Sequence, residues 1–383
     1  MTTRTDSMTD MRERGQDGQN GQHGPNGQNA LYGQTDQNGQ NGQQAPQGLH
    51  DKQGLHDKWA RASGKVILLG EHAVVYGVPA IAVGISRGAV ARATQLEEGP
   101  SLLRLEGLPI ELRADDEERD LARSFRAVLE SIPIKVPTLV EARTDLPPGA
   151  GLGCSAALGV AIARALDPYA DPQLVAERAL GWERVFHGNP SGIDTAVSAG
   201  GGCIFFERGR GFERIRASSH LAGHSGAHLL LCVGHSGTVS STKSMVESVA
   251  RLRERKPAVV EKSFDAIRAL VRNARLAIEA GDMRALGQLM DLNQMLLSGL
   301  FVSTQEIERM CSLARESGAL GAKLTGAGGG GCVAALVEDR DVAARVLRSW
   351  KTAGFEGFLA DASTHEPLHA PSKAHDHAAE TAP

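Results

Sequence analysis

Short apolar runs of strand length alternate with longer stretches of helical spacing between about residues 59 and 366. "KVILLG" (65–70) and "AIAVGI" (80–85) are each as long as a buried strand, and the segment between them carries the turn formers Gly77 and Pro79. From 172 to 187 the residues Val175, Ala179, Trp182 and Phe186 recur at helical steps, and Pro172 suits a first turn. That spacing predicts an amphipathic helix. "GGGCIFFERG" and "HLLLCVGHS" predict further strands, while 257–282 and 304–317 predict further helices. The pattern as a whole is that of an α+β fold.

The flanks lack this periodicity. Residues 15–48 hold 9 Gly, 10 Gln and 5 Asn in 34 positions, too little apolar surface to offset the entropy of ordering. Residues 1–58 therefore read as a disordered leader, ending in a tandem "GLHDK" (48–52 and 54–58) that is too short for a solenoid unit. Residues 367–383 read as a solvated tail whose histidines leave weak metal affinity as the alternative. No signal peptide follows Met1, and no apolar run approaches the roughly 18 residues that a membrane span needs.

Composition narrows the chemistry. The chain has 383 residues, enough for one large or two ordinary domains, and 41% of them are apolar. A formal charge of -4 gives no basic footprint, so nucleic acid is excluded as an expected partner and small molecules are favoured. Five scattered cysteines without a C-x-x-C pair signal neither a disulfide framework nor a structural zinc site, which fits a reducing cytoplasm.

Within this frame "DLPPGAGLGCSAALGVAIARAL" (145–166) runs from a glycine cluster into a predicted helix over 156–166. Gly149, Gly151 and Gly153 remove side chains that would keep a ligand away, and a helix start offers unsatisfied N–H groups and the positive end of a dipole. Phosphate suits that position. The spacing is not that of a Walker A loop, which is absent from the chain. A second cluster, "GAGGGG" (326–331), has the register of a dinucleotide fingerprint, but a strand-like run follows it instead of a helix, so that reading is discarded.

Three stretches, "GKVILLGEHAVVYG" (64–77), "PPGAGLGCSAA" (147–157) and "KLTGAGGGG" (323–331), resemble in order and spacing the three signature motifs of the GHMP small-molecule kinases. "GEHAVVYG" and "HGNPSGIDTAVSAGGG" (187–202) resemble the branch of that family that phosphorylates mevalonate. The resemblance implies a ribosomal-S5-like N-terminal domain (59–225), a ferredoxin-like C-terminal domain (226–366), and ATP and mevalonate meeting in a cleft between them. It implies transfer of the γ-phosphoryl group to the C5 hydroxyl, a reaction that asks for positioning and charge neutralisation.

Residue by residue, the resemblance makes Asp194 the proton acceptor for the attacking hydroxyl and Lys65 its partner, with a purely structural ion pair as the alternative. Pro148, Gly149, Ala150, Gly151, Leu152, Gly153, Cys154, Ser155 and Ala156 would form the ATP phosphate loop, with Cys154 standing where the family usually has serine. Ser155 and Glu183 match the Mg2+ ligands, hard oxygen donors that this ion prefers. Glu71, His72 and Thr242 match substrate-side positions, His72 as a donor to a carboxylate or hydroxyl. Gly328 and Gly329 would shape the cleft without doing chemistry. Members of the family are often dimeric. The alternatives are a phosphomevalonate, homoserine or sugar kinase, or an inactive ligand sensor; Lys65 speaks against a decarboxylase, and the presence of Lys65, Glu183 and Asp194 against the sensor.

Overall fold

The computed structural model describes residues 58–107, 111–133, 136–147, 149–187, 190–216, 228–238 and 241–363. Nearly all of the predicted leader, all of the tail and Pro148 lie outside the described residues. The described residues fall within one compact unit that contains two sheets.

Strands β1 (Ala60–Leu69), β2 (Ala80–Gln95), β3 (Leu102–Leu105), β4 (Glu111–Arg113), β5 (Thr138–Thr144), β6 (Cys203–Glu207) and β7 (Gly211–Arg214) make the first sheet, ordered β4-β3-β5-β2-β6-β7 with β1 beside β2. "KVILLG" lies within β1, and "AIAVGI" is only the start of the 16-residue β2. The far half of β2 alternates buried Ala89, Ala91 and Ala93 with more exposed neighbours, a strand pattern made weak by alanine. A register shift between Ser63 and Gly64 marks the irregularity that lets β2 continue.

Helices α1 (Asp120–Glu130), α2 (Cys154–Leu166), α3 (Pro172–His187) and α4 (Ile193–Gly200) accompany this sheet. α2 lies against β1 and β2 and packs on α3, which also meets α1 and α4. The α2–α3 approach depends on Gly159, because a Cβ there would lie 2.9 Å from the Trp182 ring. Trp182 is fully buried, and burying so large an aromatic contributes several kcal/mol, of the order lost in Trp→Ala variants (about 3–5 kcal/mol). The predicted helix over 156–166 starts two residues earlier, since Gly153 adopts a left-handed N-cap conformation that turns the chain at once.

The second sheet is fully antiparallel and ordered β11-β8-β10-β9, from β8 (His228–His235), β9 (Gly321–Thr325), β10 (Cys332–Val337) and β11 (Glu356–Ser363). Numbered in their own sequence they run 4-1-3-2, the split βαβ order of a ferredoxin-like sheet. Helices α5 (Thr242–Arg255), α6 (Pro257–Ala280), α7 (Met283–Gly299), α8 (Gln305–Glu316) and α9 (Arg340–Thr352) complete this half. Along α6, Val260, Phe264, Ile267, Val271, Ala274 and Ile278 form one buried stripe, between Pro257 at its start and a left-handed Gly281 at its end. Asp282, Thr304 and Asp339 cap α7, α8 and α9 by accepting from backbone N–H groups three residues on. β11 meets β2, so the two sheets share one continuous core cluster.

Candidate active site

The functional side chains arrive from the middle of β1, the starts of α2 and α4 and the C-terminal part of α3 around a cavity of about 240 Å3. Lys65 stands on β1 with its stem passing under the start of α2. A Cβ on Gly153 would lie 2.7 Å from the Lys65 Cγ, so glycine is required there by contact as well as by its φ of 76°. The Lys65 amide donates to the Leu152 carbonyl at 2.9 Å, which fixes the strand to the loop.

The Lys65 ammonium, almost wholly buried, sits 3.0 Å from Asp194 Oδ1 at the start of α4. Oδ1 is buried and receives no hydrogen bond from the described residues, so its contact with Lys65 is one of charge. Asp194 retains 37% exposure toward the cavity. A buried cation beside a half-open carboxylate is a common arrangement at reactive sites.

On the other wall Ser155 donates its hydroxyl to Glu183 Oε1 at 2.5 Å and accepts from Trp182 Nε1 at 3.1 Å. Burial pushes the Glu183 carboxyl up to about 7; the neighbouring Asp194 charge adds to the rise, while the Ser155 bond and Lys65 oppose it. His187 Nε2 stands 3.6 Å from the other oxygen of Glu183. A buried carboxylate that is costly to ionise, with a hydroxyl against it at the mouth of a phosphate-type loop, fits a divalent cation with hard oxygen ligands. Among the described residues no cluster of three or more acidic, His or Cys side chains forms a metal cage, which accords with an ion that takes most of its ligands from phosphate and water.

The amides of Gly153, Cys154, Ser155 and Ala156 precede the first intrahelical bond of α2, from Ala157 N–H to Gly153 C=O at 2.8 Å. Gly149, Ala150, Gly151, Gly153, Cys154, Ser155 and Ala156 all line the cavity. Leu152 does not; its side chain is buried behind the loop. The Cys154 thiol is pushed up chiefly by burial and contacts Thr144 Oγ1 at 3.8 Å, so it is no nucleophile.

Glu71, His72 and Thr242 also line the cavity. Thr242 is exposed at the start of α5. Both oxygens of Glu71 are engaged, one by Lys323 and the other by Asn293 Nδ2 at 3.2 Å. His72 has a backbone partner. Its Nε2 meets the Ala327 carbonyl at 2.8 Å and must carry the proton there. Burial holds the ring well below its ordinary value, at about 4, so it has one proton and that proton is used; Nδ1 is left as an acceptor.

Gly328 and Gly329 lie behind the cavity wall. Gly326 and Ala327 line the cavity, whereas a Cβ on Gly328 would lie 2.1 Å from the Val302 carbonyl, which also accepts from the Gly329 amide at 2.7 Å. These two glycines anchor the loop to the turn after α7. Sequence reasoning also missed Lys323, Asn293, Trp182 as a partner of Ser155, and Thr325, whose hydroxyl accepts from the Ile67 amide at 2.9 Å. The lysine stood inside the third quoted motif, but only its partners reveal its use.

Known proteins resemble this chain in sequence and in fold. The family model described as the GHMP kinases N terminal domain matches residues 120–202, and that of the GHMP kinases C terminal matches 266–356. A mevalonate kinase of Thermococcus sibiricus is 34% identical over 77% of this chain and 93% of its own length. The chain belongs to the GHMP kinase family. A mevalonate kinase of Methanothermobacter thermautotrophicus is likewise 34% identical, over 76% of this chain and 95% of the relative. Among solved structures of GHMP kinases, that of L. major mevalonate kinase in complex with R-mevalonate superposes with a TM-score of 0.68 at 27% identity, covering 81% of this chain and 98% of that one.

Proposed function

We propose that this GHMP kinase is a mevalonate kinase, which moves the γ-phosphoryl group of ATP to the C5 hydroxyl of mevalonate and releases 5-phosphomevalonate and ADP. The observation that carries the reading is the Lys65–Asp194 pair at 3.0 Å, set in the same cavity as the open amides of α2. The names of relatives 34% identical over three quarters of the chain support mevalonate as the acceptor.

In this reading the residues 59–225 supply the nucleotide site. The α2 amides cradle phosphate oxygens, since a helix start offers donors and a favourable dipole. Ser155 and Glu183 would hold Mg2+, which would offset the charge of the phosphate groups. Asp194 orients the acceptor hydroxyl and takes its proton, and Lys65 lies where negative charge collects on the reacting oxygens. The Thr242 hydroxyl and the N-terminal end of α5 face the acceptor and suit its carboxylate. The five cysteines are free thiols, in keeping with a proposed cytoplasmic location.

The test is Mg·ATP-dependent phosphorylation of a panel of mevalonate, phosphomevalonate, homoserine and galactose by the purified protein. Preferential turnover of mevalonate is expected. Preference for another acceptor would keep the phosphate site and overturn the substrate.

A further inference from the structure

We propose that Lys323 is a positioning residue for the reacting pair: by occupying Glu71 it leaves the Lys65 ammonium to Asp194. The inference rests on the reading of Lys65 and Asp194 as the reacting pair.

Lys323 lies on β9 with its side chain at 0% exposure, an unusual place for a lysine. Its Nζ donates to Glu71 Oε1 and to the Leu324 carbonyl. Asn293, from α7 and equally buried, holds the second oxygen of Glu71. The bridge joins residues 252 positions apart and ties the turn after β1 to the second sheet. Sealed ion pairs contribute little net stability when set against apolar residues of the same shape, so packing alone does not account for a charge here.

The neighbouring charges supply a reason. Lys65 is faced by three carboxylates: Asp194 on α4, Glu183 on α3 and Glu71 beyond the end of β1. Lys65 and Glu71 line the same cavity and feel each other's charge. A carboxylate as deeply buried as Glu71 is heavily penalised as an unpaired anion, so to stay ionised it needs a cation. Lys323 is that cation. Without it, the other buried ammonium that lines the same cavity as Glu71 is Lys65. Lys65 would then turn from Asp194 toward Glu71, and the reacting oxygens would lose their cation.

The experiment compares Lys323→Met with the double variant Lys323→Met/Glu71→Gln, in which no carboxylate competes for Lys65. In the single variant kcat is expected to fall about 10- to 100-fold, with the KM for ATP held within about twofold; the double variant is read by its crystal structure, in which Lys65 Nζ is expected back beside Asp194. A crystal structure of the single variant is expected to place Lys65 Nζ nearer Glu71 than Asp194, a readout that does not depend on which acceptor is phosphorylated. Should Lys323→Met not fold, Lys323→Gln, which keeps an N–H donor for Glu71 and removes only the charge, is read in the same way. A variant that keeps both its kcat and the Lys65–Asp194 contact overturns the proposal, as does a double variant in which Lys65 Nζ still lies away from Asp194. If the wild type fails on mevalonate, the substrate reading falls while the position of Lys65 in the variant still decides this one.

Discussion

The protein has two glycine-rich loops, and they spend their backbone groups in opposite ways. In the loop at 149–153 the chain runs into α2, and the amides at the helix start remain open toward the cavity. In the loop at 326–331, which joins β9 to β10, the groups are committed. Gly329 donates to Val302 and Gly331 to Thr238, Ser236 donates to the Gly331 carbonyl, and Ala327 accepts from His72. The two non-glycine residues with positive φ among the described residues, His72 and Phe301, both stand where this second loop is gripped, Phe301 directly before Val302. Glycine content alone does not make an anion site; unsatisfied amides do.

Substitutions in the two loops sharpen that contrast. Gly153→Ala would push on Lys65 and force a left-handed alanine, and since displacement of a reacting group by about 1 Å can cost about 100-fold, kcat is expected to fall by that order. The fold should lose only about 1–2 kcal/mol, measurable by denaturant titration beside the kinetics. Gly328→Ala should show the reverse. Its Cβ would collide with the Val302 carbonyl, so a stability loss of about 3 kcal/mol is expected with a smaller effect on the KM for ATP. If both variants lost activity and stability in the same proportion, the distinction between an anion loop and a scaffold loop would fail.

The remaining effect appears only as the pH falls and concerns the grip of His72. Burial holds this ring near 4 against an ordinary 6.5, so between those values the unfolded chain binds a proton that the folded chain does not. Its contribution is therefore fully present above pH 6.5 and is lost as the pH falls toward 4, by about 3 kcal/mol at the acid end. His72→Asn keeps a donor, tolerates positive φ and does not titrate. Stability measured from pH 7 to 4.5 should decline less steeply in this variant than in the wild type.

The glycine cluster ahead of α2 was legible in the chain because it follows local rules, whereas Ser155, Glu183 and Asp194 were legible through the resemblance to the GHMP kinases; all three line one cavity. What stayed hidden depends on pairs far apart in sequence. Glu71 gave no sign that Lys323 and Asn293 would saturate it, since those partners lie 252 and 222 positions away. His72 carried a donor in the sequence, but only the position of Ala327 shows where its proton goes. The extent of β2 was lost for another reason, because alanines give too faint an alternation to mark a strand.

The most direct test of the account is Asp194→Asn, assayed for Mg·ATP binding and for phosphorylation of mevalonate in the same preparation. The account predicts ATP affinity close to wild type, because the α2 amides are untouched, with turnover reduced by about 100- to 10,000-fold. Turnover within a few-fold of wild type in a folded protein would contradict Asp194 as the acceptor of the hydroxyl proton and with it the central role of the Lys65–Asp194 pair.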